Sequence, residues 1–414
     1  MMNVQPSMKT IPLMSERRVS LLGALLVAIG PVTMALFTPA MPEIVHAFGT
    51  TEAAVKLTLS LYFAGFALAQ LVCGPLSDGF GRKPVTFAFL GIYLAASLVA
   101  LAAPTIEILI AARFLQGVGA AVGVAISRAI VRDLFTSERS ARIMNLIGLI
   151  LGVGPAFAPT IGGLTMEVAG WHAIFAVMFA AAVVVILVVH FAMVETVQRD
   201  LSRIRPRALA GSYGSLLGSR YFVLSALIMT GSIGALYTQA TVLPFILMER
   251  VGLTPTQFGV GMLMQSGMFF AGALVVRLLL GRFGALRLVP PGLLFIAIGS
   301  LALAVGLRVA APTFLSVMGP VAFFAFGIAF VMPAMLTASL APYPHIAGAA
   351  SSLGGFFQMG GGLVGGSIAA MIGDPVLAMA TIIPAMGLVA ILCWIVWRTL
   401  PQPEIPLAHR FGGE

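Results

Sequence analysis

Charge is scarce in this chain. Only 9% of its 414 residues are Asp, Glu, Lys or Arg, against 60% hydrophobic residues. A soluble domain carries about 25% charged residues, so a water-soluble fold is excluded and the chain is an integral membrane protein. No Asp, Glu or Lys falls at mid-membrane depth in any long apolar run. A permanently cationic ligand would find no counter-charge there. Cysteine is almost absent: Cys73 and Cys393 stand alone in apolar runs, without metal-ligand spacing, and read as buried thiols. There is no metal motif, nucleophile–base arrangement, phosphate loop or sizeable soluble stretch, so an enzyme or a receptor is not expected. His46, His172, His345 and His409 sit in loops or at span ends. His190 lies near the inner end of the sixth span and reads as packed or interfacial. The first apolar run is too long for a cleavable signal peptide and lacks a small-residue cleavage site.

What is present is long, continuous apolar sequence, which argues for helices rather than the alternating strands of a barrel. A spanning helix takes ~20 residues, and the pattern predicts twelve. The first six are 19–40, 54–76, 84–103, 106–131, 140–164 and 172–194. The second six are 221–247, 256–280, 287–307, 313–338, 346–372 and 376–398. Residues 1–18 form a polar head, 195–220 a basic linker and 399–414 a tail. The fold class expected is an all-α membrane protein of two pseudo-symmetric six-helix bundles. The formal charge of +9 does not indicate nucleic acid, because the basic residues are scattered through loops. With both ends cytoplasmic, all the Lys and Arg except Lys56, Arg113, Arg250 and Arg308 lie on the cytoplasmic side. The acids divide almost evenly, as orientation by basic residues alone requires.

The most polar short segment of the first third is Gly74-Pro75-Leu76-Ser77-Asp78-Gly79-Phe80-Gly81-Arg82-Lys83-Pro84. It must be a tight turn at the membrane surface. Gly74, Asp78, Gly81, Arg82 and Lys83 occupy the places of a loop pattern, and the segment resembles the loop between helices 2 and 3 of the major facilitator superfamily. Gly79 stands where that pattern has a further basic residue. The resemblance implies that the loop docks against the start of the eleventh helix and helps hold an outward-facing state. An ordinary turn at the positive-inside surface is the plain alternative. The matching turn of the second half, Gly281-Arg282-Phe283-Gly284-Ala285-Leu286-Arg287, keeps glycines and arginines but has no acid.

Arg113 is the one charge well inside a span, in Arg113-Phe114-Leu115-Gln116-Gly117. An Arg at the helix centre costs ~2.5–3.5 kcal/mol on insertion scales, so it must face a cavity or backbone acceptors, or snorkel outward. The segment resembles the superfamily's helix 4 motif, in which the Arg is tied to proton coupling. Asp133 ends the same helix beside Arg128 and Arg132. By resemblance it joins a gating cluster with Asp78, Arg82 and Lys83; a solvated loop acid is the other reading. The fifth span carries Gly148, Gly152, Gly154, Pro155, Pro159, Gly162 and Gly163. Small residues on one face let helices pack backbone to backbone, and prolines bend them. This resembles the antiporter motif of drug-exporting branches, and the chain as a whole resembles the Bcr/CflA subfamily. That subfamily commonly has an Asp and an aromatic in the first span, where this chain has Ala35 and Phe37.

The expectation is a secondary transporter in a bacterial inner membrane. It would export drug-like amphipathic compounds, neutral or weakly acidic, by alternating access with the proton as coupling ion. The alternative is an exporter or facilitator of a sugar or other small metabolite on the same fold, with or without proton coupling. No cofactor, metal or nucleic acid is expected; the partners are a small molecule and the bilayer, and the chain is expected to be a monomer. Candidate ligand-orienting residues are Tyr62, Gln116, Asn145, Tyr237, Gln239, Gln265 and Gln358, with Met34, Phe37 and Phe269 as apolar walls. Each polar candidate has an alternative role in bonding another helix.

Overall fold

Apolar runs bounded by Ser, Thr or Asp become capped helices. The computed structural model describes residues 13–135 and 137–401. The side chains at 137, 138, 141, 145, 148–153, 155 and 203 lie outside that description. So do those of Asn145, Gly148, Gly152 and Pro155, and the expected head and tail lie largely outside it.

All regular structure among the described residues is helical. The first helices are α1 (Glu16–Phe48), α2 (Glu52–Phe80), α3 (Arg82–Leu101) and α4 (Ile106–Leu134). Helix Ser137–Ala192 leaves helical geometry at Gly170, with φ 75° and ψ 179°, and so divides into α5 (137–169) and α6 (171–192). A short helix α7 (Pro206–Gly218) lies in the linker. Then come α8 (Arg220–Arg250), α9 (Pro255–Phe283), α10 (Leu286–Val309), α11 (Phe314–Leu340), α12 (Pro344–Ile372) and α13 (Pro375–Trp397). Eleven runs among the described residues are long and apolar enough to cross a membrane. The break at Gly170 makes one of them two, which restores the twelve expected spans.

The two halves repeat each other in their punctuation. Thr51 caps α2 and Thr254 caps α9, each helix being 29 residues long. Thr105 caps α4 and Thr313 caps α11. Gly81 and Gly284 follow the paired helices with φ of 103° and 77°, a backbone region that glycine enters without a Cβ penalty. Each half has its own buried apolar cluster. Large apolar side chains such as Leu278, Val309 and Met371 are exposed, which suits contact with lipid. Several helices overrun the predicted spans; α1, for example, continues to Phe48 rather than stopping at 40. Hydropathy marks the part in hydrocarbon, whereas caps and turn glycines mark where the helix ends.

Close backbone approach organises the first half. A Cβ on Gly65 would collide with the Phe114 carbonyl, and one on Gly117 with the Tyr62 carbonyl. Helices α2 and α4 therefore touch main chain to main chain, as small residues permit in membranes. Gly123 meets the Leu26 carbonyl in the same way. Between the halves, α2 packs along α12 and α5 along α9.

Substituting Gly117→Val should lower stability by about 1–3 kcal/mol, the usual cost of overpacking, read as a fall in melting temperature in detergent. Gly74→Ala, which meets no atom within 4 Å, should leave it unchanged or raise it.

Candidate functional site

Among the described residues the buried charged side chains are Arg113, Lys56 and Arg82, and they mark three places: a knot in the first bundle, a closure at one end of the molecule, and a cavity at the other. Helices α6 and α13 end at the cavity side, next to the linker; that side is called the linker end here, and its opposite the far end.

The knot is built on Arg113, which is fully buried. It lies on the α4 face that the Gly65–Gly117 contact presses against α2. Its Nη1 donates to Gln116 Oε1 at 2.8 Å. Gln116 Nε2 donates to Ser97 Oγ at 2.8 Å, and Tyr93, one turn earlier on α3, bonds Thr33 of α1 at 2.5 Å. The Tyr62 hydroxyl donates to the Gly30 carbonyl at 2.8 Å, beside Pro31 in α1. The Arg113 guanidinium carbon lies 4.2 Å from the Phe37 ring centre and 4.6 Å from that of Tyr62. Each such contact is worth about 2 kcal/mol when desolvated, enough together to offset the ~2.5–3.5 kcal/mol insertion cost. No carboxylate takes part, and Arg113 Nε and Nη2 have no hydrogen-bond partner.

At the far end the halves are fastened together. Lys56 is fully buried. It pairs with Glu52 at 2.8 Å and donates to the Gly373 carbonyl of the other half at 2.9 Å. Its ammonium also lies 5.0 Å from the Phe245 ring centre. Thr160 Oγ1 of α5 donates to the Gly259 carbonyl of α9 at 3.0 Å, and Glu167 accepts the Thr256 N–H at 3.0 Å. A side chain on Gly163 would collide with the Pro255 carbonyl, and one on Gly259 with Pro159. Gly162 faces the Leu36 carbonyl and Gly154 faces Val32. The described part of the fifth-span motif thus joins α5 to α1 on one side and to α9 on the other.

At the linker end a cavity of about 1100 Å³ separates the halves. Asp78, Arg82, Arg128 and Arg132 line it from the first half, His345, Gly348 and Ser351 from the second, and Arg205 and Tyr213 from the linker. Arg82 is buried, lies 2.6 Å from Asp78 and 3.1 Å from Asp133, and donates to Ser77 Oγ at 2.6 Å. The cluster stays within the first half: among the described residues no ion pair joins it to α12. Lys83 Nζ donates to the His190 carbonyl at 2.8 Å. The linker is not a simple surface strap. The Tyr213 hydroxyl on α7 donates to the Leu71 carbonyl at 2.6 Å, and Ser219 bonds Tyr343 at 2.6 Å. Burial pushes the Tyr213 hydroxyl up to about 12, so it remains a neutral donor.

The structure brings Phe37, Tyr62, Arg113 and Gln116 together, and separately Asp78, Arg82 and Asp133. Tyr237 packs on Phe63 at 5.4 Å across the seam between halves. Gln239 is fully buried with neither amide atom bonded, and Gln265 Oε1 has no partner. Met34 and Phe269 pack against the cores of their own halves, and the Gln358 carbonyl lies near Gly234. None of the ligand-orienting candidates whose side chains are described is among the residues lining the cavity. Sequence reasoning missed Glu195, which accepts the N–H groups of Arg82 and Lys83 at 2.9 and 3.0 Å. It caps α3, which has no side-chain cap of its own. An acid just after the last apolar residue of the sixth span was the available signal.

Lys56→Met should loosen the far-end closure. A cysteine placed at Thr241, a fully buried position, should then react several-fold faster with a membrane-impermeant maleimide applied from the far side. An unchanged labelling rate would show that Lys56 does not hold the closure. Arg113→Lys keeps the charge but loses the planar guanidinium that lies over two rings, and it should lower transport about ten-fold or more while the protein stays folded.

Comparisons with known proteins bear on this arrangement. The sequence profile of the Major Facilitator Superfamily matches residues 21–366. Multidrug resistance protein D of Escherichia coli is 28% identical over 394 residues, covering 93% of this chain and 97% of that protein. Multidrug resistance protein MdtL of Salmonella paratyphi B is 30% identical over 388 residues, covering 92% and 94%. The uncharacterized MFS-type transporter YdgK of Bacillus subtilis is 29% identical over 365 residues, covering 85% and 87%. Among solved structures, a D-xylose–proton symporter superposes with a TM-score of 0.74 at 14% identity, covering 94% of this chain and 98% of that one. A bacterial homolog of the human lysosomal transporter Spinster gives 0.68 at 14%, covering 92% and 96%. Two six-helix halves fastened at one end and enclosing a cavity at the other thus coincide with a profile match across most of the length: the chain is a multi-pass membrane transporter and belongs to the Major Facilitator Superfamily.

Proposed function

We propose that the chain exports drug-like amphipathic compounds, neutral or weakly acidic, across a bacterial inner membrane in exchange for protons. The observation that carries this is the cavity of about 1100 Å³ between the halves at the linker end, opposite a far end that is closed. With the basic linker end placed in the cytoplasm, that cavity is an inward-facing mouth. Alternating access then consists of releasing the Lys56–Gly373 and α5–α9 contacts while the halves close around the Asp78–Arg82–Asp133 cluster. The relatives named for multidrug resistance support a drug as cargo. The Bcr/CflA-like fifth-span motif supports antiport, since its glycines join α5 to a helix of the other half. The protein acts as a monomer in this scheme, because both halves of the passage come from one chain. The absence of a carboxylate at Ala35 favours a second reading on the same fold, a metabolite exporter or facilitator without proton coupling.

Cells lacking their own pumps should accumulate several-fold less of a fluorescent amphipathic drug when they express the chain. A protonophore should abolish the difference. Accumulation indifferent to expression would refute export, and export indifferent to the protonophore would support the second reading.

A further inference from the structure

We infer that the linker-end mouth is an anion-reading site: it binds the carboxylate or sulfonate head of an amphipathic monoanion and admits its apolar body between the halves. This rests on the export reading and names the substrate class for it. Arg128 reaches from α4 across the cavity and donates to Ser351 Oγ on α12. Arg132, one turn further along α4, has no ion pair among the described residues, and its Nη1 is 4.0 Å from where a side chain on Gly348 would begin. Arg205 and His345 add basic groups to the wall. Asp78 is the only acid among the described lining residues, and its carboxylate is engaged by Arg82 at 2.6 Å.

The opposite wall completes the site. Helix α12 opens with the turn Pro344–Ile346 and runs on as Ala347–Ile372, with no side-chain cap and no acid in the first turn of either, and His345 to Ala349 line the cavity. A helix N-terminus presents N–H groups and the positive end of its dipole to an anion. Two arginines from α4 face it, and the Ser351 and Ser352 hydroxyls lie one turn in. Leu336, Leu340, Met144 and Val72 supply an apolar surface beside these groups. A neutral molecule uses only the apolar part; a cation meets repulsion.

The far end has the opposite character. Glu43, Glu107, Glu167 and Glu249 lie there, while Lys56 is already paired with Glu52 and Arg250 with Asp374, and Arg308, the remaining arginine there, is held on the Ala304 and Ala380 carbonyls. An anion is therefore attracted at the linker end and repelled at the far end, the bias an exporter needs. A substrate that carries its own negative charge also moves outward down the membrane potential, without a carboxylate in the protein.

The test reads binding rather than transport. The full chain in nanodiscs of zwitterionic lipid is titrated with naphthalene-2-carboxylate, its amide and naphthylmethylammonium. The carboxylate should bind about ten-fold tighter than the amide, the worth of one hydrogen bond to a charged group, and the ammonium weakest. Added salt should shrink the preference. Arg132→Gln should reduce it, and Arg128→Gln combined with Arg132→Gln should erase it. Glutamine at 128 can still bond Ser351, so the fold is kept. Equal binding of carboxylate and amide, or a preference that survives the double variant, overturns the assignment. Loss of carboxylate binding in discs containing phosphatidylglycerol assigns the site to a lipid head group and overturns it as a substrate site. Anion binding without any transport would refute export and leave the site standing; export with no anion preference would do the reverse.

Discussion

Hydrocarbon gives a charge nowhere to go, so a charge within it must be wrapped by its own protein. Arg113 is wrapped by π faces. The Phe37 and Tyr62 ring centres both lie within 4.6 Å of its guanidinium carbon, Gln116 takes one N–H, and a chain of hydroxyls ties the group into α1 and α3. That arrangement requires α2 and α4 to touch along their backbones, which requires Gly65 and Gly117. Burial of one cation thus dictates the spacing of the first bundle. It also shows how the guanidinium is held without an acid in the first span: the ring faces do the work of a counter-ion without a carboxylate.

The remaining charges are sorted to the two ends, and the sorting differs. At the far end a lysine is consumed in closing the gap between halves. At the linker end one arginine is consumed inside the first half by two acids, and others line an open cavity. Closure at one end and separation at the other are the two complements of a rocking motion. Asp78 lies on one wall of the cavity and the first turn of α12 on the other, with the Arg128–Ser351 hydrogen bond running between the walls. The second bundle carries no equivalent of the acid in its matching turn, so the charge cluster has no counterpart there although the helices repeat. Gly284 keeps the turn and Arg282 and Arg287 keep positive charge, but no residue there supplies the acid.

Much of the fold was legible because the bilayer simplifies the problem. Spans are read from unbroken hydropathy, ends from Ser and Thr caps, and turns from glycine. The loop around Asp78 and the Arg113 segment carry spacing patterns that survive as local geometry. The placement of ligand-facing residues was less legible. Tyr62 and Gln116 look alike in sequence to residues that would greet a ligand, and which partners they hold in the fold, a carbonyl and a serine, no local pattern shows. Arg128 and Arg132 look like surface charge at the end of a helix, yet they line the cavity.

The sequence by itself determined the membrane class, the twelve helices, the two-half plan and the absence of a mid-membrane acid, because each follows from composition or from contacts close along the chain. Tertiary structure alone decided that Lys56 reaches Gly373, 317 positions away, that Glu195 caps α3, that the linker helix forms a wall, and which end stands open. Those are contacts between segments far apart in sequence. They depend on how two bundles of nearly equal apolar character lean on each other, a balance that no local pattern encodes.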